Sequence, residues 1–84
     1  MAVTTPDWLA KHGGELRTQV LDSAMVLFAG EPQYRLKPFP VEGKFGCRVT
    51  QTINGKRLDG KDVYPTADDA LRGGLETLRQ ALGW

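Results

Sequence analysis

The sequence predicts an α+β fold: an antiparallel meander of three strands, with a fourth on one reading of its first apolar run. One sheet face packs on a C-terminal helix, and helical segments stand at the N-terminus. Three observations lead there. Residues 66–82, TADDALRGGLETLRQAL, repeat apolar side chains at three- and four-residue spacing. Residues 45–53 alternate apolar and polar, as a half-buried strand does. Asn54-Gly55 follows at once, and that dipeptide is the strongest short hairpin signal.

At the N-terminus, Thr5-Pro6-Asp7 reads as a helix start: a cap, a proline at the first helical position and an acid in the first turn. A helix of about two turns carries Trp8 and Leu9 and stops at Gly13-Gly14. Trp8 is expected to dock on the domain, with a partner anchor as the alternative.

Residues 15–29, ELRTQVLDSAMVLFA, fit two patterns. Leu16, Val20, Leu21, Ala24, Leu27 and Phe28 form a helical stripe, and Gly30 supplies its stop. Residues 24–29 are also a short apolar run before Gly30-Glu31-Pro32, which suits a strand entering a turn. The helix is the favoured reading.

Residues 33–39 are extended, with Tyr34 and Leu36 on one side and Arg35 and Lys37 on the other. Pro38 donates no ladder hydrogen bond, so this strand is expected at an edge or to end there. Residues 40–44 form a loop. In the next strand Phe45, Cys47, Val49 and Ile53 share a face with Gln51, and Gly46, Arg48, Thr50 and Thr52 share the other. A two-residue turn at Asn54-Gly55 sets Ile53 opposite Lys56, Thr52 opposite Arg57 and Gln51 opposite Leu58. Asp59-Gly60 suggests a bulge or bend, and Val63 and Tyr64 finish the strand.

The last helix is capped by Thr66, with Asp69 three residues on, and ended by Gly83. Its apolar stripe is Ala70, Leu71, Gly74, Leu75, Leu78, Ala81 and Leu82. Gly74 on that stripe implies close approach of helix backbone to sheet, because glycine costs about 1 kcal/mol relative to alanine there. Gly73 faces the polar side, and the sequence offers no reason for it.

The order helix, strands, helix resembles the double-stranded RNA-binding domain. Gly30-Glu31-Pro32-Gln33-Tyr34 is similar to that family's first-helix exit and first-strand opening. Phe45, Cys47 and Val49 resemble its second strand, Asn54-Gly55 its hairpin, and Thr66 and Ala70 the start of its last helix. The resemblance implies RNA contacts from the first helix, from the loop between the first two strands and from lysines opening the last helix. Here the last helix opens Thr66-Ala67-Asp68-Asp69, and the loop 40–44 carries Glu42 beside Lys44. The basic contact residues of the family are absent.

Composition bounds the function. The 84 residues are 40% hydrophobic and 25% charged with net charge +1, as expected of one globular domain spanning 1–84. No charge excess suggests non-specific nucleic-acid binding by the whole surface. No apolar run is long enough to span a membrane, and no signal peptide is visible. The single cysteine, Cys47, points to a reducing, cytoplasmic setting. It alternates with Phe45 and Val49 as a small core hydrophobe would. His12, the single histidine, stands near a terminus. No residues are spaced as a metal site or a phosphate loop, so no cofactor and no enzymatic activity are expected.

Alternation and register place Arg35, Lys37, Arg48 and Arg57 on one open sheet face. It is either a solvated face that discourages edge association or a docking face for an acidic partner or a phosphate backbone. With Trp8 and Trp84 as terminal aromatics, the sequence points to a small non-catalytic module that binds another macromolecule, most readily a protein. Structured RNA is the alternative, and a homodimer through the 33–39 edge is a further one.

Overall fold

The computed structural model describes residues 4–18, 23–58 and 60–84. Helix α1 (Asp7–Lys11) is followed by β1 (Gly14–Thr18), β2 (Ala24–Phe28), β3 (Glu31–Val41) and β4 (Lys44–Gln51), and the chain closes with α2 (Ala67–Leu82). The strands form one antiparallel four-stranded sheet in the order β1-β2-β3-β4. Helix α2 packs on one face of it, through Ala70, Leu71, Gly74, Leu75 and Leu78. The α+β meander is therefore present, with four strands.

The favoured helix over 15–29 is replaced by strands β1 and β2. Leu16 stands opposite Val26, and Ala24 opposite Leu36, so these four fill the core from one sheet face. Val20 and Leu21 of the expected stripe lie outside the described residues. At the far end of β2, Ala29 and Gly30 take φ of 53° and 78° between the paired residues Phe28 and Glu31. Two positive φ angles in a two-residue loop make a type I′ hairpin, whose twist suits the strands it joins. Glu42 and Gly43 (φ 48° and 83°) do the same between Val41 and Lys44.

The Asn54-Gly55 turn is built differently. Only Gly55 of the pair has positive φ. Its N–H donates to the Gln51 carbonyl (2.8 Å), and the Gln51 N–H donates to Lys56 (2.8 Å), closing a loop over 52–55. Thr52 is drawn away from the second arm, with its N–H on Gln33 (2.9 Å) and its hydroxyl on the Pro32 carbonyl (2.9 Å). Arg57 thus sits opposite Thr50 instead of Thr52. A two-residue slip keeps Arg57 on its expected face, whereas a one-residue slip would reverse it. The loop also carries Ile53 away from the core to 81% exposure, against the inward position its alternation suggests. Beyond it, the chain touches β4 through bridges at Arg57 and Tyr64, and Asp59 of the expected bend lies outside the described residues.

Strand β3 is central at Tyr34, Arg35 and Leu36, where it pairs with both β2 and β4. The expectation of an edge at 33–39 is corrected for those three residues. From Lys37 onward it runs past the end of β2 and, among the described residues, keeps only β4 as partner. Pro38 and Pro40 lie in this one-sided part. Val41 and Lys44 close a two-residue turn, so residues 41, 39, 37, 35 and 33 aim their polar backbone groups at β4. The even-numbered prolines aim theirs the other way, where no described strand needs a donor. The other borders are covered. The Leu16 N–H on the free side of β1 donates to Thr5 Oγ1 (3.1 Å), and β4 is lined by bonds from Leu58 to Val49 and between Tyr64 and Phe45. Thr5 therefore serves the sheet, and Pro6 takes the cap position of α1 without a side-chain bond.

The ends of α2 follow the sequence. Thr66 Oγ1 accepts from the Asp69 N–H (3.1 Å). Gly83 is left-handed (φ 73°, ψ 27°), with Gly83 N–H on Gln80 and Trp84 N–H on Arg79, a Schellman ending. That ending folds Trp84 back onto the domain. Its ring stacks on His12 (3.8 Å between centroids, 7° between planes) and meets Trp8 (6.2 Å) and Phe28 (5.8 Å). The two terminal tryptophans pack on each other instead of standing free. Gly74 lets the helix backbone approach Cys47 and Leu36, as its place on the stripe predicts. Gly73 also has a reason: the Tyr64 ring fills the space beside it.

Candidate binding face of the sheet

The helix leaves the other sheet face open. Register sets one row across it: Arg17 opposite Met25, Met25 opposite Arg35, Arg35 opposite Thr50 and Thr50 opposite Arg57. Residues directly opposite in an antiparallel pair share a face. The next row sets Lys37 opposite Arg48, and beyond it Phe39 stands opposite Gly46. Arg35, Lys37, Arg48 and Arg57, the residues expected from alternation, are all exposed on this face. Arg17 and Lys44 belong to it as well. Arg17 escapes a reading that makes residues 15–29 a helix.

What distinguishes these charges is their pairing. On α2, Arg72 meets Asp69 (3.4 Å) and Arg79 meets Glu76 (3.3 Å). On β1, Arg17 meets Glu15 (3.2 Å). Among the described residues, Arg35, Lys37 and Arg48 have no carboxylate within ion-pair distance. Arg48 instead lies over the Phe39 ring, 5.4 Å from its centroid, a cation–π geometry. Gly46 makes room for that ring, since a β-carbon there would stand 2.8 Å from it. The face is thus cationic, and its half-buried aromatic is occupied by an arginine.

At the corner of the face lies an open depression of about 300 Å³ lined by Arg35, Thr50, Gln51, Thr52 and Gly55. Its wall is the 52–55 loop, fixed by the bonds described above and by the Lys56 N–H on Asn54 Oδ1 (2.9 Å). Exposed Ile53 is at the tip of that loop.

The other chemistry-bearing groups lie elsewhere. Cys47 is buried beneath Gly74. The space around it, shared with Tyr64, Asp62 and Thr77, amounts to about 10 Å³, hardly one water molecule. Burial there, then the charges of Asp62 and Cys47, hold the Tyr64 phenol above its ordinary pKa of 10.0. His12 is engaged by Trp84. Among the described residues no group of three acidic, histidine or cysteine side chains is placed to hold a metal ion. Among them, too, no helix is long and apolar enough to cross a membrane. Comparison with protein-family models, with curated proteins and with solved structures finds no match to this chain.

Proposed function

We propose that the protein is a non-catalytic binding module that docks an acidic surface of another protein against the open face of its sheet. The observation that carries this reading is the set of uncompensated cations. Arg35, Lys37 and Arg48 stand together without carboxylate partners, while Arg17, Arg72 and Arg79 are paired. Clustered like charge is unfavourable until an opposite surface meets it. The non-catalytic part rests on Cys47 and His12, whose surroundings are those of packing groups. The test is affinity capture with the parent chain and with the Arg35→Glu/Lys37→Glu/Arg48→Glu variant. A partner retained by the parent, released by salt and lost by the variant supports the reading. A partner held equally by both overturns it.

The resemblance to the double-stranded RNA-binding domain supports a second reading, structured RNA on the same cations. Arg35 and Lys37, two residues apart on one strand, are spaced by about 7 Å, which suits successive contacts along a phosphate backbone. Against it, α1 has five residues, and α2 opens on Asp68 and Asp69. Titration with a short RNA duplex decides: affinity that falls steeply with salt is expected of RNA binding, and no binding at low salt removes it.

A further inference from the structure

We propose that the depression between Arg35 and the 52–55 loop seats a single carboxylate side chain from an extended acidic segment of the partner protein. This rests on the binding-face reading above and gives that face a point of specificity. Arg35 brings a guanidinium, whose planar fork of donors matches a carboxylate, and it has no carboxylate of its own among the described residues. Thr50, directly opposite on the same face, adds a hydroxyl. The Thr52 hydroxyl already donates to the Pro32 carbonyl, so it offers only acceptor capacity. The seat therefore presents donors at Arg35 and Thr50 and a hydroxyl acceptor at Thr52 on the loop side. A carboxylate followed by its own backbone N–H meets that arrangement, whereas a phosphodiester has no donor for the acceptor side.

Two further features favour a protein segment. The wall is preorganised: Gly55 to Gln51, Gln51 to Lys56, Lys56 to Asn54 and Thr52 to Gln33 fix it without a ligand. Binding then costs little ordering of the loop. Ile53, 81% exposed, belongs to the same loop as Thr52 and Gly55, which line the seat. It offers an aliphatic neighbour for a hydrophobic residue flanking the acid and has no counterpart on a phosphate backbone. The ring that a base could stack on, Phe39, lies under Arg48.

The experiment is an amide NMR titration of the full chain at low salt. The probe is a short blocked peptide of glutamate and alanine with one central leucine, and a short RNA duplex is the parallel arm. The expected shifts converge on Arg35, Thr50, Gln51, Thr52 and Gly55. Arg35→Gln weakens the peptide about tenfold, the loss of one charge-assisted pair. Lys37→Gln and Arg48→Gln weaken it about twofold, as screened surface charges do. Ile53→Ser weakens it without changing its salt dependence. Each variant is exposed, and an unchanged spectrum away from the face shows that it folds. Equal weakening by Arg35→Gln, Lys37→Gln and Arg48→Gln overturns the seat and leaves the face. Tighter binding of the duplex at the same amides overturns the peptide as occupant. No shift anywhere on the face overturns both the seat and the binding-face reading.

Discussion

The ring of Tyr64 occupies the space that a β-carbon on Gly73 would need. The backbone that carries this ring is held in place. The Tyr64 N–H donates to the Phe45 carbonyl (2.7 Å) and its carbonyl accepts from the Phe45 N–H (2.8 Å), so its backbone is fixed to β4. On an unconstrained helix position alanine gains up to about 1 kcal/mol over glycine. Forcing a methyl into filled space costs about 1–3 kcal/mol. Gly73→Ala is therefore expected to destabilise by about 1–2 kcal/mol in urea unfolding. In a Tyr64→Ala background the same change turns neutral or stabilising. A gain in the parent background would show that the ring swings aside.

The same tyrosine gives a pH dependence. Burial, Asp62 and Cys47 raise the Tyr64 pKa above 10.0, so the fold prefers the neutral phenol. In the unfolded chain the group ionises near its ordinary value. The contribution is thus complete below pH about 10 and is lost as the pH rises through the higher folded pKa. Absorbance titration of the folded protein should show a late phenol ionisation. Tyr64→Phe should remove that component and flatten the alkaline decline in stability. A late component that persists in Tyr64→Phe would assign the late phenol elsewhere.

Ala29 holds φ of 53°, a left-handed conformation that costs roughly 1 kcal/mol for a residue with a β-carbon. Ala29→Gly and Ala29→Asn are expected to raise stability by about 0.5–1 kcal/mol, with asparagine the better choice because glycine loosens the unfolded chain. The midpoint of denaturation should rise with an unchanged slope. A lower midpoint for both would mean that the Ala29 methyl makes packing contacts worth more than the strain.

These turns mark where the sequence was legible and where it was not. The α2 caps, the Gly74 contact and the alternation at Phe45, Cys47 and Val49 follow from local chemistry, and all three are present. The 15–29 stretch misleads because a spacing of four residues serves both periods: Leu16, Val20 and Ala24 share a helix face and equally a strand face. Pairing with β3 decides between them, and pairing is not local. Asn54-Gly55 outranks Ala29-Gly30 and Glu42-Gly43 on propensity, yet the latter two form the type I′ turns. The bonds of Thr52 to Gln33 and Pro32 fix the third loop from outside it. The four cations fell on one face despite the register error because the slip was even. The depression beside Arg35 needed the loop geometry and had no linear signal.

Trp84 ties the C-terminus to α1 and β2. Its backbone completes the Schellman ending of α2, and its ring meets His12, Trp8 and Phe28. At 38% exposure it still carries much apolar area inward. Trp84→Ala is expected to cost about 1–2 kcal/mol, from the aromatic contacts and the lost burial. The His12 ring protons, shielded by the stacked indole, should move downfield in the same variant. Unmoved His12 signals would mean that the stack does not persist in solution.

The second half of β3 has one strand neighbour among the described residues. Among the described residues, Lys37, buried Pro38, Phe39, Pro40 and Val41 have no strand partner besides β4. Unpaired strand edges recruit further strands, and charge and proline blunt that tendency. Here the two residues whose backbone N–H would point outward are both prolines, so an incoming strand finds carbonyls and no donors. Lys37 adds charge. Pro38→Thr/Pro40→Thr restores both donors without altering the β4 ladder, which uses the odd-numbered residues. The double variant is expected to self-associate at concentrations where the parent does not, read as a larger sedimentation coefficient. Pro38→Ala/Pro40→Ala should behave likewise, separating donor restoration from β-branching. If neither variant differs from the parent, the prolines are not what protects this edge, and Lys37→Ala becomes the substitution that should expose it.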